Sequence, residues 1–256
     1  MNKVENVKLY IKEKNVLAGI SLKDEQCVEA NNMAFHTAQN TINVIENRAQ
    51  LARTIKQPLS SFVCAEQTHS ANVYKVTASD RGRGALEEKT AIAHTDALYT
   101  REKNLVLCTF TADCVPVFFY HELANIVGVI HSGWSGTVKA ITMKTLRHIS
   151  DVENCRLRDF RIHIGTALSQ KRFEVDLDVF ILFEALGYAS PFIKFNKKTN
   201  KYHIDNQEVV AKQCELIGIP REHIRIDKTC TYEDPLGFSY REDRQAGRHL
   251  GFIVQK

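Results

Sequence analysis

Three residues of metal-ligating type stand beside apolar runs: His69 within Glu66-Gln-Thr-His-Ser70, Cys114 within Thr111-Ala-Asp-Cys-Val-Pro116, and His131 directly after Ile126–Ile130. A thiolate and two neutral imidazoles fill three corners of a tetrahedral zinc site and leave the fourth open for water or substrate, the arrangement of a catalytic site. Along the chain the three are 45 and 17 residues apart, a spacing that matches no short zinc signature. The plain alternative is a small buried thiol at Cys114 and two hydrogen-bonded histidines at strand ends. What sets these histidines apart from His94, His163 or His249 is their surroundings, QTHS and IHSGW, with TADC around the cysteine.

Those surroundings form an ordered series. Gln67-Thr-His-Ser70, Thr111-Ala-Asp-Cys-Val-Pro-Val117, His131-Ser-Gly-Trp-Ser-Gly-Thr137, Ile164-Gly-Thr-Ala-Leu-Ser-Gln170 with Phe173-Glu-Val175, and Cys230-Thr-Tyr232 with Phe238-Ser-Tyr-Arg241 and Gly247-Arg248 follow one another over about residues 15–254. The series resembles the family long labelled multicopper polyphenol oxidase or laccase-domain proteins, now read as purine nucleoside phosphorylases with adenosine deaminase activity. The resemblance implies zinc ligands from QxHG, TADC and HAGWRG, which fall on His69, Cys114 and His131. It implies phosphorolysis of adenosine, inosine and methylthioadenosine, and hydrolytic deamination of adenosine. Zinc is the expected metal, with copper the other candidate. A blue-copper and trinuclear arrangement needs many more paired histidines than the chain carries.

The same resemblance suggests further roles. An open zinc lowers the pKa of bound water toward about 7 and supplies hydroxide for attack on the purine carbon that bears the amino group. A carboxylate must move protons there, and Asp113 or Glu174 is placed to do so, although in an extended segment Asp113 would face away from Cys114. Cys114 and His131 are then expected to be catalytic as well as ligands. Arg48, in an Asn-Arg pair, and Lys23, where the family usually has Ser-Thr-Arg, are the expected phosphate-binding cations, lysine lacking the bidentate fork. Trp134 and Tyr240 are expected to stack on the purine. Ser135 replaces the arginine of HAGWRG, Ser70 the glycine of QxHG, and Asp24-Glu-Gln26 an expected Gly-Gly turn. The competing reading is a Cys–His hydrolase or deamidase with Cys114 as nucleophile and His131 as base; a third is a binding protein whose metal only supports the fold.

To position these residues the chain needs strand ends that converge. Short runs rich in Val, Ile and Phe at Leu105–Phe110, Pro116–Tyr120 and Ile126–Ile130 predict strands buried on both faces. Ser61–Cys64, Asn72–Val76, Phe160–Ile164, Ile224–Asp227 and Leu250–Val254 predict further strands. Helices are predicted at Gln39–Lys56, with Ile42, Ile45, Ala49, Ala52 and Ile55 on one face, after the Gly133-Trp-Ser-Gly136 turn through Ile149, near Val179–Leu186, and at Gln207–Ile217. Lys194–Lys201 reads as a loop or hairpin tip. The mixture predicts one α/β or α+β domain over 1–256, with mixed sheets flanked by helices.

Composition narrows the class. The chain has 256 residues, 44% of them hydrophobic, enough for one sizeable core. A net charge of +4, with its cations dispersed, gives no basic stripe for nucleic acid. No apolar run approaches the roughly 20 residues of a membrane span, and the opening MNKVENVKLYIKEKNVLAG, with charges among its apolar residues, lacks the unbroken apolar segment expected of a signal peptide. Seven cysteines with no CxxC pair read as reduced thiols of a cytoplasmic protein. The expected partners are purine nucleosides and phosphate, with no nucleic acid and no membrane, and the chain acting as monomer or homodimer.

Overall fold

Strands that are apolar on both faces need cover on both sides, and the chain provides it by stacking two sheets between two layers of helix. The computed structural model describes residues 6–256; residues 1–5, where the opening segment and the 1–256 domain begin, lie outside the described residues.

The first sheet has the order β1 (Val7–Lys12), β2 (Val16–Ser21), β14 (His249–Gln255), β6 (Val106–Thr111) and β3 (Phe62–Val63). The second runs β13 (Ile224–Ile226), β9 (Arg161–Ile164), β7 (Val115–His121), β8 (Ile126–Ser132), β5 (Ala97–Thr100) and β4 (Val73–Lys75). Both are mixed: β3 is parallel to β6, β4 to β5 and β13 to β9, and the other pairs are antiparallel. A small third sheet comprises β10 (Glu174–Val175), β12 (Lys201–Ile204) and β11 (Ile193–Asn196).

Period-two alternation assigns each side chain to a layer. From β7, Phe118 points between the two large sheets to meet Ala18, Val63, Leu107 and Ile253, while Val117 and Phe119 point outward. Two helices, α3 (Ile141–Glu153) and α5 (Asn206–Leu216), bury Leu146, Ile149, Val210 and Cys214 on that outer face. Helix α1 (Thr41–Thr54) covers the other outer face with Leu51 and Ala52 against Phe62, Val106 and Phe252. Truncating a ring as buried as Phe118 to alanine costs about 3–5 kcal/mol. The result is one α+β domain of mixed sheets flanked by helices. No helix among the described residues is long and apolar enough to cross a membrane.

Local chemistry sets the boundaries. Asn40 caps α1, its side chain accepting from the Ile42 amide, and Asp205 caps α5 by accepting from the Glu208 amide. The buried face of α1 differs from the prediction: Val44, Asn47, Arg48 and Leu51 point inward with Ala52, and Ile42 is 68% exposed. Two polar residues can be buried there because backbone carbonyls receive them, Asn47 Nδ2 donating to Val28 and Asn32. The predicted Gly133–Gly136 turn is itself mostly helical, opening α2 (Trp134–Val138), and the helix predicted beyond it is interrupted at Ala140, left-handed at φ 57°, before α3. Helix α4 (Leu177–Glu184) packs on the third sheet, and residues 193–204 form a hairpin, β11 to β12. Strands β1, β2 and β5 went unpredicted, β1 because lysines interrupt its apolar residues.

Candidate metal centre

Strand register gathers the site. Between β7 and β8, Val115 pairs with Ser132 and Pro116 with His131, so Cys114 stands at the end of β8. The turn from β6 to β7 reaches it through Asp113, whose φ of 79° is left-handed. Ala97 of β5 pairs with Ile130 of β8, which puts Asp96 opposite His131, and the His131 amide donates to the Asp96 carbonyl at 2.7 Å.

Asp96 then organises the third ligand. Its carboxylate accepts the backbone amides of Thr68 (3.2 Å), His69 (3.1 Å) and Ser70 (2.7 Å), plus the Ser70 hydroxyl (2.7 Å). Successive amides around one anion form a nest, and His69 adopts the left-handed φ of 54° that such a turn needs. Gln67 pins the same loop to β6, its amide donating to the Phe110 carbonyl (2.8 Å) and accepting from the Phe110 amide (2.7 Å). Lys139 donates to the His69 carbonyl.

The potential ligand atoms of His69, Cys114 and His131 all lie within 4.8 Å of one another. Oδ1 of Asp96 sits 2.8 Å from His131 Nδ1, leaving Nε2 of that ring for the cluster. A Cβ on Gly133 would lie 2.6 Å from His69 Nδ1 and 2.9 Å from Cys114 Sγ, so the ligands close around a position only glycine fits. Burial opposes charge on both Asp96 and His131, but their neighbours outweigh it. Asp96 is held at about 2 by His131 and Ser70, and the charges of Cys114 and Asp96 push His131 up to about 9. His69 is lowered by burial and by the charge of His131. A metal competes with the proton on these imidazoles.

The cluster opens into a cleft of about 1060 Å³, at the upper end of ligand-site volumes and roomy enough for a nucleoside and a small anion. Trp134 and Tyr240, 39% and 49% exposed, both line it.

Residues 17–256 match the family described as multi-copper polyphenol oxidoreductase laccase. The chain belongs to that family. It is 34% identical over 249 residues to the purine nucleoside phosphorylase YlmD of Bacillus subtilis, covering 95% of this chain and 90% of the relative. The crystal structure of YlmD from Geobacillus stearothermophilus superposes with a TM-score of 0.94 at 31% identity, over 100% of this chain and 98% of that one. The hypothetical protein YfiH of Bacillus licheniformis gives 0.90 at 31% identity, covering 97% and 99%. Within a family labelled for laccase, this member matches the YlmD and YfiH proteins and not a true laccase. Among the described residues, His69, Cys114 and His131 are the one grouping of three or more His, Cys, Asp or Glu side chains near enough together to hold a metal.

The family motifs carry other residues to different places. Asp113 lines the cleft, and each of its carboxylate oxygens already accepts a hydrogen bond, from Thr231 Oγ1 and from the Arg241 amide, both at 2.6 Å. Glu174 also lines the cleft, with Oε2 2.8 Å from Thr199 Oγ1 and 3.3 Å from His203 Nε2. Arg48 is 1% exposed at the cleft wall and bonded to backbone carbonyls, not the surface charge that its sequence context allows. Lys23 is not brought to the cleft lining; it pairs with Glu25 at 2.7 Å. Ser135 is half-buried in the first turn of α2, also outside the lining. Sequence reasoning missed Asp96 and assigned no role to Arg248, which lines the cleft. For Asp96 the signal was weak: a carboxylate one residue before a strand that was itself unpredicted.

Proposed function

We propose that the chain is a zinc-dependent purine nucleoside enzyme that cleaves adenosine, inosine or methylthioadenosine with phosphate and hydrolytically deaminates adenosine. One observation carries this reading: a Cys–His–His cluster opens onto a cleft that has aromatic faces and buried arginine on its walls. The names of the relatives, purine nucleoside phosphorylases, are of the same class.

The donor set fits zinc, with soft sulfur, two imidazoles, a carboxylate behind one of them, and a glycine cradle. His69, Cys114 and His131 would hold the zinc, which when bound would supply Lewis acidity and lower the pKa of water. The chain's own residues do the rest. Asp96 keeps His131 in the tautomer that offers Nε2 and fixes the loop that carries His69. Trp134 and Tyr240 offer rings against which a purine stacks. In phosphorolysis an oxygen of phosphate forms a bond to C1′ of the ribose; the bond from C1′ to N9 breaks, its electron pair goes to N9, and the purine takes up a proton.

The test is incubation of purified protein with adenosine, with and without phosphate, and chromatography of the products. Adenine and ribose-1-phosphate formed only with phosphate, or inosine formed in either case, establishes the reading. No product from zinc-loaded protein rejects it for adenosine.

One observation favours a second reading. Cys114, His131 and Asp96 stand in the order of nucleophile, base and orienting carboxylate, the arrangement a Cys–His hydrolase uses. That enzyme survives chelation and is inactivated by iodoacetamide; the zinc enzyme loses activity to a chelator and regains it with zinc.

A further inference from the structure

We infer that Asp113 is a positioning residue, whose carboxylate ties the exposed Tyr240–Arg241 segment to the turn that carries Cys114 and so sets the Tyr240 ring against the metal cluster. That Tyr240 meets a purine rests on the nucleoside reading; the tether does not.

The segment has little else to hold it. Residues 240–245 are all exposed, between the buried Ser239 and the half-buried Ala246. A run with no buried side chain opens readily unless polar bonds fix it. Its stem is fixed: the Phe238 amide donates to His249 Nε2, and at Gly237 a Cβ would stand 2.1 Å from the Thr231 carbonyl oxygen. Within the run the Glu242 and Asp243 amides only turn back to Ser239. Two bonds reach outside it. The Arg241 amide donates to Asp113 Oδ2 at 2.6 Å, and Nη2 of Arg241 donates to the Glu174 carbonyl at 3.0 Å. Tyr240 lies between the fixed stem and the tethered amide, so the bond to Asp113 decides where its ring stands in the cleft.

The other end of the tether is anchored. Asp113 is held in a left-handed turn at φ 79°, and its carbonyl accepts from the Leu168 amide at 3.0 Å. Its Oδ1 accepts at 2.6 Å from the hydroxyl of Thr231, a buried residue whose amide donates to the Ala167 carbonyl. Cys114 is the next residue. Arg248, 5.7 Å from the Tyr240 ring centre, is influenced by the acidic groups of Cys114 and Asp113, so ring, tether and ligand share one end of the cleft. A bond from an amide to a carboxylate is about twice as strong as a neutral one, which suits a single contact that must hold an exposed run.

Asparagine separates positioning from proton transfer. It tolerates the left-handed turn and can keep both contacts, Oδ1 accepting from the Arg241 amide and Nδ2 donating to the Thr231 hydroxyl, yet it takes up no proton. Alanine keeps neither contact. The experiment compares Asp113→Asn and Asp113→Ala in the intact zinc-loaded protein, by hydrogen exchange of residues 238–247 and by steady-state kinetics with adenosine. We expect exchange there to quicken by about tenfold or more in Asp113→Ala, the loss of a charged hydrogen bond, and far less in Asp113→Asn. KM for adenosine should rise about tenfold in Asp113→Ala with kcat less affected, and adding Asp113→Ala to Tyr240→Ala should raise it no further, because both act through one ring. Circular dichroism and zinc content check the fold and Cys114. If Asp113→Ala fails either, Thr231→Val, which leaves the Cys114 turn unsubstituted, is read for the same signs. Unchanged exchange in Asp113→Ala overturns the inference, as does a KM effect that adds to that of Tyr240→Ala. Loss of kcat in Asp113→Asn as complete as in Asp113→Ala assigns the carboxylate to proton transfer and overturns it too. Quickened exchange in a protein that turns over no nucleoside leaves the tether standing and removes the nucleoside reading; turnover with exchange unchanged does the reverse.

Discussion

The carboxylate of Asp96 holds the Nδ1 of His131 at 2.8 Å and at the same time gathers the backbone amides of Thr68, His69 and Ser70. One buried side chain thus orients one candidate ligand and shapes the loop that carries another. Replacing it with asparagine puts an amide N–H against donors. Asp96→Asn is expected to weaken zinc binding by about 10- to 100-fold, the usual cost of losing an outer partner of a metal-binding histidine. Competition with a chromophoric chelator measures this, and an unchanged affinity would remove Asp96 from the metal site.

Gly133 tests the cradle directly. A methyl at 2.6 Å from His69 Nδ1 and 2.9 Å from Cys114 Sγ forces both ligands apart while touching little of the core. Gly133→Ala should retain native circular dichroism and lose stoichiometric zinc by elemental analysis. A variant that still binds one equivalent tightly contradicts the geometry.

Stacking is tested by Trp134→Ala and Tyr240→Ala. Both rings are partly exposed at the cleft, so the fold should tolerate their loss. Base–aromatic stacking is worth about 1–3 kcal/mol, so KM for adenosine should rise by about tenfold with kcat less affected. Steady-state kinetics decide it; a KM that ignores both substitutions rejects the stacking role.

Acid stability follows from His249. The ring is fully buried, its Nδ1 2.7 Å from the Ser21 carbonyl and its Nε2 accepting from the Phe238 amide at 2.7 Å, so both nitrogens are used in the neutral form. Burial lowers its pKa to about 4, against about 6.5 in the unfolded chain. The unfolded state therefore binds the proton first. The contribution is complete above about pH 6.5 and shrinks as pH falls toward 4, by up to about 3 kcal/mol. His163, lowered by burial to about 4, adds in the same direction. Urea midpoints at pH 7 and 4.5 should show the loss, and His249→Gln should flatten it in part; an identical pH dependence in that variant contradicts this origin.

Much of the core was legible because alternation and apolar runs are local properties. The strands β6, β7 and β8, the capped helices α1 and α5, and the cysteine and histidines at strand ends all follow from residue type and spacing. The buried face of α1 was misread because Asn47 and Arg48 look like surface residues until carbonyls from distant segments are present to receive them. Lys23 was grouped with phosphate on sequence resemblance, yet the fold leaves it beside Glu25.

What the sequence by itself determined was the inventory of ligand types, the motifs around them and a layered mixture of strands and helices, α/β or α+β, since each is written in short stretches of chain. Tertiary structure alone decided the rest. Strand register set Asp96 opposite His131, 35 residues away, and a loop wrapped on that carboxylate delivered His69. Met33 joined Arg48 to Arg248 across most of the chain. Such relations depend on which strands pair and in what register, a choice made by burial summed over the whole core and by no single motif.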